Sequence, residues 1–162
     1  MGQYRDVETL FRGVTYNQFT SPQLREAMTK KVAAVRVKIE DRQGRIRKIQ
    51  IDNDITSEMA TDLVLQYMQD QQNGRQRMMY SNSVRQQGST TPKEINVPAG
   101  VIANLVTEKS LIEQETAEVT RLDLIIRNLK DDAYYTHPET GAVGKRQVIH
   151  TLSDNDMEYL GF

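Results

Sequence analysis

From residue 99 to residue 130, apolar side chains return at steps of four and three without losing register. Positions 101, 105, 108, 112, 115, 119, 122, 126 and 129 hold Val101, Leu105, Glu108, Ile112, Glu115, Val119, Leu122, Ile126 and Leu129. This spacing is that of a coiled-coil-like seam, and with Pro98 near its start it predicts a long amphipathic helix over 99–130, about 47 Å at 1.5 Å per residue. Glu108 and Glu115 interrupt the seam. A carboxylate in an apolar seam needs a cation or water beside it, so that half of the helix is expected to face one or the other.

Two further helices are marked by their starts. Thr20-Ser21-Pro22-Gln23 offers a capping hydroxyl, an early proline and a Gln placed to complete a capping box. Leu24, Met28 and Val32 then follow at helical spacing, predicting a helix over 22–34. Thr56 or Ser57 caps the next helix, over 57–72, whose stripe is Met59, Leu63, Val64 and Tyr67. Shorter signals flank these. Residues 5–11 place Val7, Leu10 and Phe11 on one side and end at Gly13, while 14–16 read as extended. Ser153 with Asp156 forms a last capping box, opening a short helix that ends at Leu160.

Residues 33–52 satisfy two periods. Val35, Val37 and Ile39 alternate with Arg36 and Lys38, then Asp41-Arg42-Gln43-Gly44 supplies turn chemistry, and Ile49 and Ile51 return. That is a β-hairpin over 35–52. Val32, Val35, Ile39, Arg42, Ile46 and Ile49 also fall at helical steps, but a helix would carry Arg42 in its seam and Gly44 in its interior, the latter at about 1 kcal/mol. The density of β-branched residues favours the hairpin.

The chain is therefore expected to be α+β and helix-dominated. It divides into a basic N-terminal region (1–85), a polar linker (86–97) containing Gln86-Gln87-Gly88-Ser89-Thr90-Thr91-Pro92, and a C-terminal region (98–162). Leu, Ile, Val and Phe make up 38 of 162 residues. That fraction lies just above the range of about 20% where disorder sets in, so the core is thin and a homo-oligomer is expected. There is no Cys, which leaves the redox compartment open and excludes thiolate metal sites. No leader peptide and no membrane span are seen, pointing to a cytoplasmic protein, or a virion protein if phage-encoded.

Charge adds more than the net −1 suggests. Residues 21–52 carry nine Lys and Arg against four Asp and Glu, whereas 98–133 carry four against seven. Lys30, Lys31, Arg36, Lys38, Arg42, Arg45, Arg47 and Lys48 form the candidate binding segment. On a two-stranded ribbon they would suit a major groove or a phosphate backbone; the competing reading pairs them with the acidic 98–133 helix.

Catalytic patterns are weak. Gly141-Ala142-Val143-Gly144-Lys145 resembles a phosphate loop but has Glu139 where the first Gly belongs and Arg146 where Ser or Thr belongs, so it reads as a turn. His137 and His150 have no nucleophile or orienting carboxylate placed by local spacing. Asp52-Asn53-Asp54 and Asp154-Asn155-Asp156 lack the Gly and Glu of a calcium loop and read as helix starts. No catalytic residue, metal or cofactor is assigned.

These observations lead to an expectation of a non-enzymatic oligomeric binding or assembly protein, of a kind suited to a phage or mobile-element accessory or virion-assembly factor. It would self-associate through Val101, Leu105, Ile112, Val119, Leu122, Ile126 and Leu129, and present 30–48 to DNA, RNA or an acidic protein. A purely structural protein–protein assembly factor is the alternative, and a His-dependent hydrolase or nuclease the remote one.

Overall fold

The computed structural model describes residues 16–85 and 92–162. In chain order the elements are β1 (Gln18–Thr20), α1 (Ser21–Asp52), α2 (Ser57–Gln72), β2 (Met79–Arg85), β3 (Pro92–Pro98), α3 (Ala99–Asn128), β4 (Asp132–Thr136), β5 (Val143–Gln147), β6 (Ile149–Thr151) and α4 (Asp154–Leu160). Among the described residues helices dominate, with three two-stranded antiparallel sheets, β1–β6, β2–β3 and β4–β5. The fold is helix-dominated α+β. The segments expected over 5–11 and 14–15, and residues 86–91 of the linker, lie outside the described residues.

Local chemistry sets the helix starts. At the head of α1 the capping box closes both ways: Thr20 N donates to Gln23 Oε1 at 2.8 Å, and Gln23 N donates to Thr20 Oγ1 at 3.3 Å. Thr56 caps α2 by accepting from Met59 N, and Ser153 caps α4 by accepting from Asp156 N. α4 ends on Gly161 in the left-handed region (φ 82°), which lets Phe162 N donate back to Met157 O at 2.8 Å.

Two expectations are corrected. Residues 35–52 are not a basic hairpin. The helix expected over 22–34 continues as α1 to Asp52, through Gly44, which does not adopt a positive φ. The helical period won because Val35 is 2% exposed, while Ile39, Ile46 and Ile49 are at least half-covered on the same face. Val37 and Ile51, the side chains that only the alternating pattern would bury, are 56% and 78% exposed. The linker expected over 86–97 is also strand from Pro92 onward: β3 pairs with β2 from Met79↔Pro98 to Arg85↔Pro92, and Tyr80, Ile95 and Val97 are buried. The long helix expected over 99–130 is α3, ending at Asn128.

The chain divides into two compact units, residues 35–118 and residues 1–34 with 119–162, and each long helix contributes a segment to both. In the unit of 35–118 the core joins Ile55, Met59, Ala60 and Leu63 to Tyr80, Ile95 and Val97 of the β2–β3 ribbon and to Ile102 and Leu105 of α3; Ile46 and Ile49 of α1 pack against it. In the other unit Leu24, Met28, Val32, Val119, Leu122 and Met157 are buried. There β1 pairs with β6 from Gln18↔Thr151 to Thr20↔Ile149, and Phe19 stacks on Phe162 with ring centroids 4.0 Å apart.

Candidate functional site

On a helix the eight candidate basic residues no longer share a face. At about 100° per residue, Arg36 and Arg47 project from one flank of α1 and Lys38 and Arg45 from the opposite flank. Lys30 and Lys48 take a third direction, and Arg42 points to the core side. Several are engaged within the chain. Lys30 Nζ lies 3.3 Å from Glu26, one turn earlier, and Lys31 Nζ sits 4.5 Å from the Tyr159 ring centroid. Arg36, Lys38, Arg47 and Lys48 are exposed.

Arg42 has the opposite fate. Its Nε donates to Glu115 Oε1 and its Nη1 to Glu108 Oε2 at 3.2 Å, and Arg45 Nε reaches Glu108 Oε1 at 3.4 Å. The side chains of Arg42, Glu108 and Glu115 are 21%, 17% and 12% exposed. The guanidinium is held above its usual range, chiefly by its hydrogen bond to Glu115 and then by that to Glu108, against the opposing effect of burial. The two carboxylates that interrupt the α3 seam thus meet the one cation that interrupts the α1 seam. Arg45 meets Glu108 while Arg42 extends to Glu115, so these segments run antiparallel. An ion cluster of this kind adds little net stability over an apolar contact, but it rejects any register that leaves a carboxylate without its cation.

The seam positions of α3 are largely covered by their own chain. Leu105 is fully buried, Leu122 and Val119 are buried, and Val101, Ile112, Ile126 and Leu129 are half-buried. What the sequence offered as a self-association stripe is spent on intrachain packing at Leu105, Val119 and Leu122.

His150 has a partner that local spacing concealed. Its Nε2 lies 2.8 Å from Ser21 Oγ, 129 positions away in sequence, and Ser21 Oγ donates to Lys130 O at 2.6 Å. A hydroxyl carries one proton, and here the carbonyl takes it, so Nε2 carries its own proton and donates to Oγ. Ser21 is wholly buried. The pair fastens the first turn of α1 to β6 and to the residue chain that leaves α3. His137 stands exposed at the end of β4, edge-on to Tyr135 at 5.0 Å.

One polar cluster escaped the sequence. Asp70 is 3% exposed; it accepts from Tyr80 Oη at 2.8 Å, and Arg77 Nε lies 2.8 Å from the same oxygen. Burial first, and then the hydrogen bond to Asp70, raise the Tyr80 phenol above its ordinary value. The available signal was that Asp70 continues the Met59, Leu63, Tyr67 step of α2, where a carboxylate must face inward.

The β4–β5 ribbon is largely exposed, with only Asp132 and Gly144 of its strand residues partly covered. Its register runs from Asp132↔Gln147 to Thr136↔Val143. Tyr134 and Val143 are each 72% exposed. On the opposite face the Tyr135 ring lies over Gly144, so closely that any Cβ there would collide with it, and Arg146 stands 5.2 Å from the ring centroid. The Gly141–Lys145 segment is the turn and second strand of this hairpin, with Gly141 at φ 69°. Among the described residues, no three His, Asp or Glu side chains gather as a metal site, and no helix is long and apolar enough to cross a membrane. No protein-family model, curated protein or solved structure matches the chain.

Proposed function

We propose that this protein is a non-enzymatic assembly protein that acts through protein–protein contact and self-association. The observation that carries the reading is the division of its surface chemistry. Arg42, which looked available in sequence, is paired inside the chain with Glu108 and Glu115, the two carboxylates that interrupt the α3 seam. Apolar side chains, in contrast, stand in the open on the ribbon, where Tyr134 and Val143 serve no core. Tyr134 and Val143 lie diagonal to each other on one face of the ribbon, and adjoining exposed apolar groups mark a protein contact where single ones do not.

Dispersal of the cations around α1 weighs against a nucleic-acid footprint. Lys38, Arg47 and Lys48 point in three different directions around the helix, too scattered to follow one phosphate track. The test is a pair of measurements on the full chain: sedimentation velocity over a concentration series, and titration of labelled duplex and single strands at low salt. The expected result is mass that rises with concentration and no binding of either strand type. Binding whose log K falls steeply with log salt, by a chain that stays monomeric, would overturn the reading in favour of nucleic-acid handling.

A further inference from the structure

Among the described residues, the β4–β5 hairpin has two unpaired backbone edges, and their directions can be derived. Val148 N donates to Asp131 O at 2.9 Å and His137 N donates to Ala142 O at 2.8 Å, one at each end of the ladder. Both pairs share the register of Asp132↔Gln147. In an antiparallel pair, hydrogen-bonded and non-hydrogen-bonded positions alternate. Ala133↔Arg146 and Tyr135↔Gly144 therefore bond inward. Asp132, Tyr134 and Thr136 direct their N–H and C=O groups out of the β4 edge, and Val143, Lys145 and Gln147 direct theirs out of the β5 edge.

Among the described residues, the β2–β3 ribbon has part of its edges covered and the β4–β5 ribbon does not. Ala99 N donates to Met78 O, which by the same rule turns Ser81 and Pro98 outward on β2–β3. There Gln66 Nε2 of α2 donates to Ser81 O at 3.4 Å, and Pro98 has no N–H to offer. Strands β1 and β6 are only three residues long. Among the described residues, neither a helix nor a proline covers the edges of β4 and β5. A two-stranded ribbon with both faces wet is marginal by itself and gains from further strands.

Resting on the assembly reading above, we infer that the occupant is a second copy of this chain, joined head to tail, with the β5 edge of one copy pairing antiparallel to the β4 edge of the next. Charge complementarity selects this arrangement. Within the hairpin Lys145 Nζ already lies 3.8 Å from Asp132 Oδ2. Repeating the same register between chains sets Lys145 of one copy opposite Tyr134 of the next and diagonal to its Asp132, within reach of the long lysine side chain. A β5–β5 contact centred on Lys145 would oppose two lysines, which disfavours it. A lysine on an edge ordinarily discourages pairing, but here the facing edge supplies the carboxylate. An anionic polymer fits less well, since residues 131–147 carry Asp131, Asp132 and Glu139 against Lys145 and Arg146.

Proline at an outward-directed position removes an edge donor without removing a hairpin bond. Tyr134→Pro blocks the β4 edge and Lys145→Pro the β5 edge. In light scattering after gel filtration, each full-length variant is expected to run as a monomer, and an equimolar mixture to form a 1:1 dimer that grows no further. Lys145→Asp, which leaves the backbone intact, is expected to weaken association about tenfold or more, and Asp132→Lys combined with it to restore association. Circular dichroism of each variant verifies that it is folded. If Lys145→Pro alone still dimerises, head-to-tail pairing is wrong. If the wild type associates and none of the variants changes it, the edge is not the interface, although the assembly reading survives. A wild type that is monomeric at every concentration overturns both.

Discussion

Arg42 is the residue at which the two periods of 33–52 part company. In a hairpin it would sit at a solvated tip; in α1 it faces Glu115 and Glu108 at partial exposure. Removing it leaves two carboxylates together without their main cation, so Arg42→Met is expected to lower the thermal midpoint clearly. Replacing all three by apolar residues of similar volume is expected to recover most of the loss, because the cluster gives up desolvation as well as attraction. Thermal unfolding of the single and triple variants checks this. A triple variant no better than the single would mean that the cluster stabilises the fold outright rather than selecting a register. The same logic explains what the sequence hid. Arg42, Glu108 and Glu115 each look like an error in a seam when read along the chain, and they cancel only when two segments far apart in sequence are set side by side.

At the scale of elements, whatever was decided locally was legible. The Thr20–Gln23 box, the Thr56 cap and the Ser153–Asp156 cap each lie within four residues, and each was readable with its helix. Elements decided by distant contacts were not. Residues 35–52 became helix because Val35, Ile46 and Ile49 found cover on one face. β3 was hidden in a polar stretch because a ribbon buries alternate residues, and Ile95 and Val97 alone are a short signal. Ser21 and His150 met across 129 positions, beyond any local pattern. Gly44 gives the sharpest test of the helix. A Cβ there would meet only Arg47 Nη2, at 3.8 Å. Gly44→Ala is therefore expected to stabilise the chain by about 1 kcal/mol, through helix propensity. In a hairpin turn requiring positive φ the same change would destabilise, so denaturant unfolding of this one variant separates the two conformations by sign.

For the whole molecule, the thin core read from composition and the open ribbon seen in the structure point the same way: burial that the chain does not supply for itself at Tyr134 and Val143 is expected from a neighbouring copy. Amide hydrogen exchange followed across a concentration series tests this most directly. Protection is expected to rise with concentration at Tyr134, Thr136, Val143 and Lys145, the outward amides of β4 and β5. The inward amides of Ala133, Tyr135, Gly144 and Arg146 are expected to change far less. Equal exchange of the outward amides at low and high concentration, in a chain whose mass nevertheless grows, would contradict the account and send the interface elsewhere on the molecule.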